Sequence, residues 1–390
     1  MGRQQDDLRP ISIFPQMRGS PPGCQGTLAT PSRNLFSPTL APYTSQRAKQ
    51  ARSAPRPLDG SPTQSKNPSN GCAPKASTIT TASDGRSSIY FARASKCTKT
   101  CCLRAVMGSS LRRILLWTIV ALVVAYAGFG VLARTTGVID RYFIFFPERT
   151  LDRDPGDRGL DFEDVYFEAS DRVRLNGWFV PGRSDTTLLW LHGNAGNIAN
   201  RVDNIAEIHD NLGVGVFIFD YRGYGRSEGK PTEQGTYLDA EAALKYLRSR
   251  GDVNPERLVL FGKSLGCAVA AELASKNDVQ GVVLESPFTS IGAMAKRAYP
   301  FLPGIRSFVR TRYDTLSKVG RFGAPLMVLH GNRDDIAPFD MGVAVFEAAT
   351  PPKRFYRIEG AGHNDTYSVG GHAYYQALGE FLDNLPKGDG

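Results

Sequence analysis

Gly262-Lys263-Ser264-Leu265-Gly266 follows the apolar run Leu258–Phe261 and opens an alanine-rich helical stretch. Gly-x-Ser-x-Gly in that setting is a nucleophile elbow, because small residues let the chain turn tightly and present the serine at a helix N-terminus. The pentapeptide alone recurs by chance; its flanks make the signal specific. A serine hydroxyl attacks an acyl carbon only when a base takes its proton. Of the five histidines, His192 and His330 end apolar runs in His-Gly turns, His209 falls within a helical stretch and His372 begins the last one. His363, in Gly360-Ala361-Gly362-His363-Asn364-Asp365, follows the final strand in a loop able to carry a base over the serine. The plainer reading of His363 is a surface-loop histidine.

The acid that orients the base is expected at the end of the preceding strand, where Leu329-His330-Gly331-Asn332-Arg333-Asp334-Asp335 offers two adjacent carboxylates. The His-Gly-x-x-Asp spacing puts Asp334 on the turn leaving the strand, and Asp335 fits a solvated loop charge better. Glu285, at the end of another apolar run, is a weaker alternative. Acyl transfer also needs hydrogen-bond donors where the carbonyl oxygen gains charge, each worth on the order of 3 kcal/mol in the transition state. The backbone N–H groups of Asn194, in Leu191-His192-Gly193-Asn194-Ala195-Gly196-Asn197, and of Leu265 are the candidates, with Ala195 the near alternative. Asp220, Arg222 and Arg226 read as braces of a loop by charge-assisted hydrogen bonds, and Cys267 as a small apolar residue packed behind the elbow.

Elements must hold these residues in place. Apolar runs predict strands at Asp164–Glu168, Val173–Val180, Thr187–Leu191, Val214–Phe219, Leu258–Phe261, Gly281–Leu284, Pro325–Leu329 and Arg354–Ile358. Helical patterns fit Asn200–Asn211, Gln234–Ser249, Ser264–Ser275, Met341–Ala348 and Ala373–Asn384. Strand and helix alternate from Thr187 onward, which argues an α/β fold with a mostly parallel sheet covered on both faces. The first two strands, joined without a helix, suit an antiparallel edge. Between Ser286 and Ser317 lies a short lid segment with five cations (Lys296, Arg297, Arg306, Arg310, Arg312) beside Tyr299, Phe301, Leu302 and Phe308.

The net charge of +9 suggests nucleic acid or an acidic surface as a partner, until it is divided along the chain. Residues 1–113 hold 17 Lys and Arg against four acids, leaving 30 against 34 for the rest, so the basic excess belongs to the N-terminal third. Twelve of the 25 prolines fall there too, among Ser, Thr, Gln and Asn, which predicts disorder over 1–113 and no nucleic-acid partner for the folded part. Five of the six cysteines lie in that third: Cys24, Cys72, Cys97, Cys101 and Cys102. The last three lack the ligand spacing of a zinc site and suit either reversible acylation beside a membrane or an incidental cluster.

From Ile114 to Ala133 run twenty uncharged residues between Arg112-Arg113 and Arg134, enough at 1.5 Å per residue for about 30 Å of hydrocarbon. A single membrane-spanning anchor at 114–133 is expected. The cations before the span outnumber those after it, which places the N-terminus in the cytoplasm and the rest outside it. Met107 opens a short basic segment typical of an export signal, so residues 1–106 read as an upstream extension. Ala125-Tyr126-Ala127 offers signal cleavage as an alternative, and the apolar run continuing past it favours a retained anchor. The aromatic run Tyr142–Phe146 suits either the membrane interface or packing against the domain, which is expected over 142–390.

From Tyr142 to the end the chain resembles an α/β-hydrolase of the membrane-anchored, bud-emergence-type branch, related to abhydrolase-domain and serine aminopeptidase-like enzymes. The resemblance is carried by YFIFFPE from Tyr142, LHGNAGN from Leu191, FDYRGYGRSEG from Phe219, GKSLG from Gly262, ESPFTS from Glu285, HGNRDDIAP from His330 and GAGHND from Gly360. It implies about eight strands, a Ser264-Asp334-His363 triad in that chain order without metal or organic cofactor, and one N-terminal anchor. Esterases, thioesterases and peptidases share such a triad. The expected activity is hydrolysis of acyl esters or thioesters, with a lipid-linked acyl substrate presented at the membrane and no obligate protein partner. A serine peptidase or aminopeptidase of the same fold, and a non-catalytic membrane scaffold, are the alternatives.

Overall fold

The computed structural model describes residues 108–386. The expectations for the basic N-terminal third, its five cysteines and the start at Met107 lie outside the described residues.

The described residues form ten strands: β1 (Phe146–Pro147), β2 (Glu163–Glu168), β3 (Arg174–Val180), β4 (Thr187–Leu191), β5 (Ala195–Gly196), β6 (Gly215–Phe219), β7 (Leu258–Lys263), β8 (Gly281–Glu285), β9 (Leu326–Gly331) and β10 (Lys353–Ile358). Eight of them form one sheet in the order β10-β9-β8-β7-β4-β6-β3-β2. From β6 to β10 every neighbour is parallel, whereas β3 runs antiparallel to both β6 and β2. The edge hairpin therefore comes from the two strands joined without a helix.

The central strands read as continuous apolar runs because both of their faces are covered. Alternate residues divide between two cores, as a period of two requires. Leu189, Leu191, Phe217, Phe219, Leu260 and Leu284 pack toward helices Glu233–Ser249 and Leu265–Ala274. Leu188, Trp190, Val216, Ile218, Phe261 and Val283 face helices Val202–Leu212 and Thr366–Asp383. A fully buried Leu or Phe contributes about 1.5–3 kcal/mol, so these two layers fix the sheet beneath the site. Capping is local: the Thr232 hydroxyl accepts from Gly235 N at 3.0 Å, starting the helix where the loop after β6 ends.

Differences from the sequence pattern have physical causes. The last helix begins at Thr366, not Ala373, because it runs through a break at Gly371 (φ 51°, ψ −141°) that masks its periodicity. The lid contains three short helices, Ile291–Ala298, Ile305–Phe308 and Leu316–Val319, too brief to show an apolar period. Residues Val138–Phe143 are helical, so the connector after the long apolar helix Ser109–Thr136 is more compact than an extended chain. The aromatic run divides: Tyr142 is exposed, Ile144 and Phe145 are buried in the domain, and Phe146 enters β1, which pairs with β5.

Candidate active site

Ser264 stands between β7 and the helix Leu265–Ala274 with φ 54° and ψ −115°, a strained conformation for a residue with a side chain. Its neighbours make that turn sterically feasible. A Cβ on Gly262 would lie 2.6 Å from the Gly266 carbonyl oxygen, and one on Gly266 would collide with the Leu191 carbonyl. Ser264 N donates to the Glu285 carbonyl at 2.9 Å, so β8 holds the elbow from the side. Cys267 is buried, with its Sγ 3.1 Å from the carbonyl oxygens of Gly262 and Glu285, and burial pushes its thiol up.

The structure brings three of the expected residues into one line. His363 Nε2 is 2.9 Å from Ser264 Oγ and its Nδ1 is 2.7 Å from Asp334 Oδ2. His363 and Asp334 are buried, and Asp335 is exposed. Burial opposes a charge on Asp334, but hydrogen bonds from His330 and His363 outweigh it and hold the carboxyl well below the usual range. Asp334 Oδ1 accepts from Ile336 N at 3.0 Å and Ala337 N at 2.7 Å. With Asp334 ionised, His363 carries its proton on Nδ1 and offers a lone pair at Nε2 to the serine hydroxyl. Such an arrangement can raise the nucleophilicity of an alcohol.

The oxyanion candidates lie beside it. A Cβ on Gly193 would be 3.6 Å from Ser264 Cβ, so the His192-Gly193-Asn194 turn runs along the serine. Asn194 is fixed by three hydrogen bonds: Nδ2 donates to Ile144 O at 3.0 Å, and its carbonyl accepts from Phe146 N at 3.1 Å and Tyr224 Oη at 2.7 Å. Leu265 is the first residue of its helix, so its N–H has no intrahelical acceptor. Ala195 lies in β5.

Glu285 is not brought to His363. It is buried in an ion pair with Lys263, accepts from Thr366 Oγ1, and accepts from Tyr374 Oη at 2.6 Å. Burial opposes its charge, but Lys263 and these hydrogen bonds lower its pKa on balance. Asp220 accepts from Ile198 N at 3.0 Å, Arg222 bridges Asp171 and Asp239, and Arg226 pairs with Asp164. His209 lies in the helix Val202–Leu212, and His192 is buried with its pKa pushed down to about 3 by desolvation. His330, which its sequence motif shows only as the end of an apolar run, also reaches the carboxylate: its Nε2 is 3.3 Å from Asp334 Oδ2, and the i, i+4 spacing is the one trace of this contact in the sequence.

Among known families, the profile described as "Serine aminopeptidase, S33" matches residues 182–317, a span that contains Asn194 and Ser264 and ends before Asp334. Rv2307c of Mycobacterium tuberculosis is 39% identical over 222 residues, covering 56% of this chain and 78% of the relative. The α/β-hydrolase domain-containing protein WAV2 of Arabidopsis thaliana is 36% identical over 249 residues, 59% of this chain and 81% of that one. This chain belongs to the α/β-hydrolase superfamily. Among solved structures, the α/β-hydrolase is similar to the esterase Pf2001 of Pyrococcus furiosus, with 25% identity, a TM-score of 0.54, and coverage of 62% of this chain and 99% of that one. The chain is thus a hydrolase, and its helix Ser109–Thr136 is long and apolar enough to cross a membrane.

Proposed function

We propose that this α/β-hydrolase is a membrane-anchored serine hydrolase that cleaves acyl esters or thioesters through an acyl-enzyme. The observation that carries the reading is the buried line Ser264 Oγ, His363 Nε2, His363 Nδ1, Asp334 Oδ2, with contacts of 2.9 and 2.7 Å. Ser264 Oγ attacks the acyl carbon as His363 Nε2 takes its proton. The carbonyl oxygen gains charge toward the N–H groups of Asn194 and Leu265. The tetrahedral adduct collapses to the Ser264 ester as His363 protonates the departing alkoxide or thiolate. Water then attacks that ester, giving its proton to His363, and the collapse returns the proton to Ser264. Asp334 orients the imidazole and stabilises its cation without taking the proton.

Anchoring is supported by the long helix itself. Of Ser109–Thr136 only Gly130 and Ala133 are buried, and its large apolar side chains from Leu111 to Leu132 are exposed, an arrangement suited to hydrocarbon. The cation excess before Ile114 supports a cytoplasmic N-terminus and a hydrolase domain on the other side. Protease added to intact cells or spheroplasts is expected to reach the domain; protection of the domain would reverse the topology.

The S33 profile supports a second reading, aminopeptidase action. The lid argues for the ester reading, because residues 286–312 carry five cations and no acid, a poor setting for the free α-ammonium of a peptide. Labelling by a fluorophosphonate probe tests the serine. An acyl-chain series of esters and thioesters run against aminoacyl amides of matched leaving group tests the substrate; faster release from the amides would establish the peptidase.

A further inference from the structure

The long apolar helix does not stand apart from the domain. It is docked on the lid. The Phe308 ring lies on the backbone of Gly130, where any Cβ would collide with it. The same ring is 4.9 Å from that of Tyr126 and 6.4 Å from that of Phe129, centroid to centroid. Tyr126 Oη donates to the Pro303 carbonyl at 2.7 Å. One helical turn past Gly130, Arg134 Nη1 donates to the carbonyls of Ser307 and Val309 at 3.2 and 3.4 Å, at the end of the lid helix Ile305–Phe308.

These contacts fix a depth. Hydrocarbon-compatible sequence ends at Ala133, which is followed by Arg134. At 1.5 Å per residue, Gly130 is about 4–5 Å and Tyr126 about 10 Å below that boundary. Lid residues touching them lie at the same level. The alternative is a helix raised until its lid-contacting turns stand in water. Only Ile114–Ala125 would then remain, a length of about 18 Å against the roughly 30 Å of a bilayer core. The lid tip has the composition that such a depth demands. Phe301 is 73% exposed, the largest exposure among the large apolar side chains of the described residues, with Pro300 and Pro303 exposed on either side of it. Lys296, Arg297, Arg306, Arg310 and Arg312, all exposed, flank the tip as a collar suited to anionic headgroups.

We propose that the lid tip, Tyr299–Ile305, is inserted into the acyl layer of the bilayer leaflet beside the anchor, so that the hydrolase is held at two points and its lid rests in lipid. The partner is the bilayer, with acyl chains against Phe301 and anionic headgroups against the cations. The inference rests on the reading of Ser109–Thr136 as a membrane span. It adds a consequence: an acyl substrate reaches the lid from the leaflet without crossing water.

The test uses the full chain with Cys24, Cys72, Cys97, Cys101 and Cys102 replaced by Ser, leaving buried Cys267. A single polarity-sensitive fluorophore is placed at Phe301→Cys, at Val123→Cys within the span, or at Glu256→Cys, at the opposite end of β7 from Ser264. Each is reconstituted in phosphatidylcholine vesicles with a minority of phosphatidylglycerol, and quenching is read with doxyl groups in the upper acyl chain, with doxyl groups near its end for the deeper position 123, and with aqueous iodide. Lipid quenching at 301, blue-shifted emission and protection from iodide, with 256 showing the opposite, are expected. In addition, Phe301→Asp should lower turnover of a long-chain ester embedded in the vesicles by about tenfold while sparing a short soluble ester.

Quenching at 123 but not at 301 overturns insertion and leaves the anchor standing. No lipid quenching at 123 removes the anchor and the inference together. Protection of 301 from both lipid and iodide means that protein, a second copy or another chain, covers the tip, and the proposal fails. Quenching does not depend on turnover, so an inactive enzyme with a lipid-quenched 301 would sink the esterase reading alone.

Discussion

His330 Nε2 lies 3.3 Å from Asp334 Oδ2, the same oxygen that His363 Nδ1 approaches at 2.7 Å, so one carboxylate faces two imidazoles. His330 Nε2 is also 2.8 Å from the Ala337 carbonyl, which requires that nitrogen to carry the proton, while its Nδ1 is buried against Gly342 without a hydrogen-bond partner. The second histidine fixes the carboxylate and the turn after β9 together. His330→Leu is expected to lower kcat about tenfold with little change in KM, as loss of a donor to a charged group implies. His330→Gln, which keeps an N–H, should recover part of that loss. Equal effects of both variants on kcat and stability would show a packing role only.

Removal of the hydroxyl or its base should silence the enzyme without unfolding it. Ser264→Ala is expected to lose both fluorophosphonate labelling and ester turnover, and His363→Ala nearly as much. Asp334→Asn should cost about 10⁴ in kcat, by the wrong imidazole tautomer, and Asp335→Asn much less. The reverse ranking of the two aspartates, read from kcat, moves the role by one residue.

Asp220 sets a pH dependence of stability. Burial pushes its carboxyl up to about 8, and the backbone hydrogen bond from Ile198 only partly offsets this. The native state holds that proton where the unfolded chain has released it, so stability falls as pH rises from about 4 toward 8 and then levels. His192, pushed down to about 3 in the fold, is neutral in both states only above about pH 7.5, and below that it gives parent and variant the same slope, which cancels in their difference. Asp220→Asn keeps an acceptor for Ile198 and removes the titration. Its thermal midpoint relative to the parent should rise steadily between pH 6.5 and 8; a constant difference would refute the buried-acid assignment.

Gly266 cannot be enlarged. Its Cβ would enter the Leu191 carbonyl, a backbone atom of β4 that the sheet holds in place. Gly266→Ala is expected to cost about 3 kcal/mol or to prevent folding, whereas Gly251→Ala, with open space around it, should be near neutral. Urea unfolding of the two variants checks this.

Deleting residues 1–133 should give a soluble chain that still turns over short esters, since Ser264, Asp334 and His363 lie far beyond the cut. The loss is expected at the lid, where Phe308 leaves Tyr126, Phe129 and Gly130. Membrane pelleting and a short-ester assay measure the two outcomes.

The alternation of apolar runs, read as strands, determined the eight-stranded parallel-rich sheet, because residues buried on both faces must be apolar wherever the chain passes. The chain also displays its glycines around Ser264, and places Asp334 and His363 on turns after successive strands. Local sterics and chain order suffice for those. Strand order and packing decided the rest. Lys263 meets Glu285 because β7 and β8 are neighbours in register, and the apparent spare acid is thereby occupied by a lysine 22 residues away. His330 and Asp334 are only four residues apart, yet they meet because the turn after β9 brings the Asp334 carboxylate and the Ala337 carbonyl to one imidazole nitrogen, an arrangement that their spacing permits without requiring. The long apolar helix meets the lid across 177 residues of sequence. Periodicity reports which side chains avoid water; which buried or apolar groups then meet is set by the three-dimensional path, which no local pattern encodes.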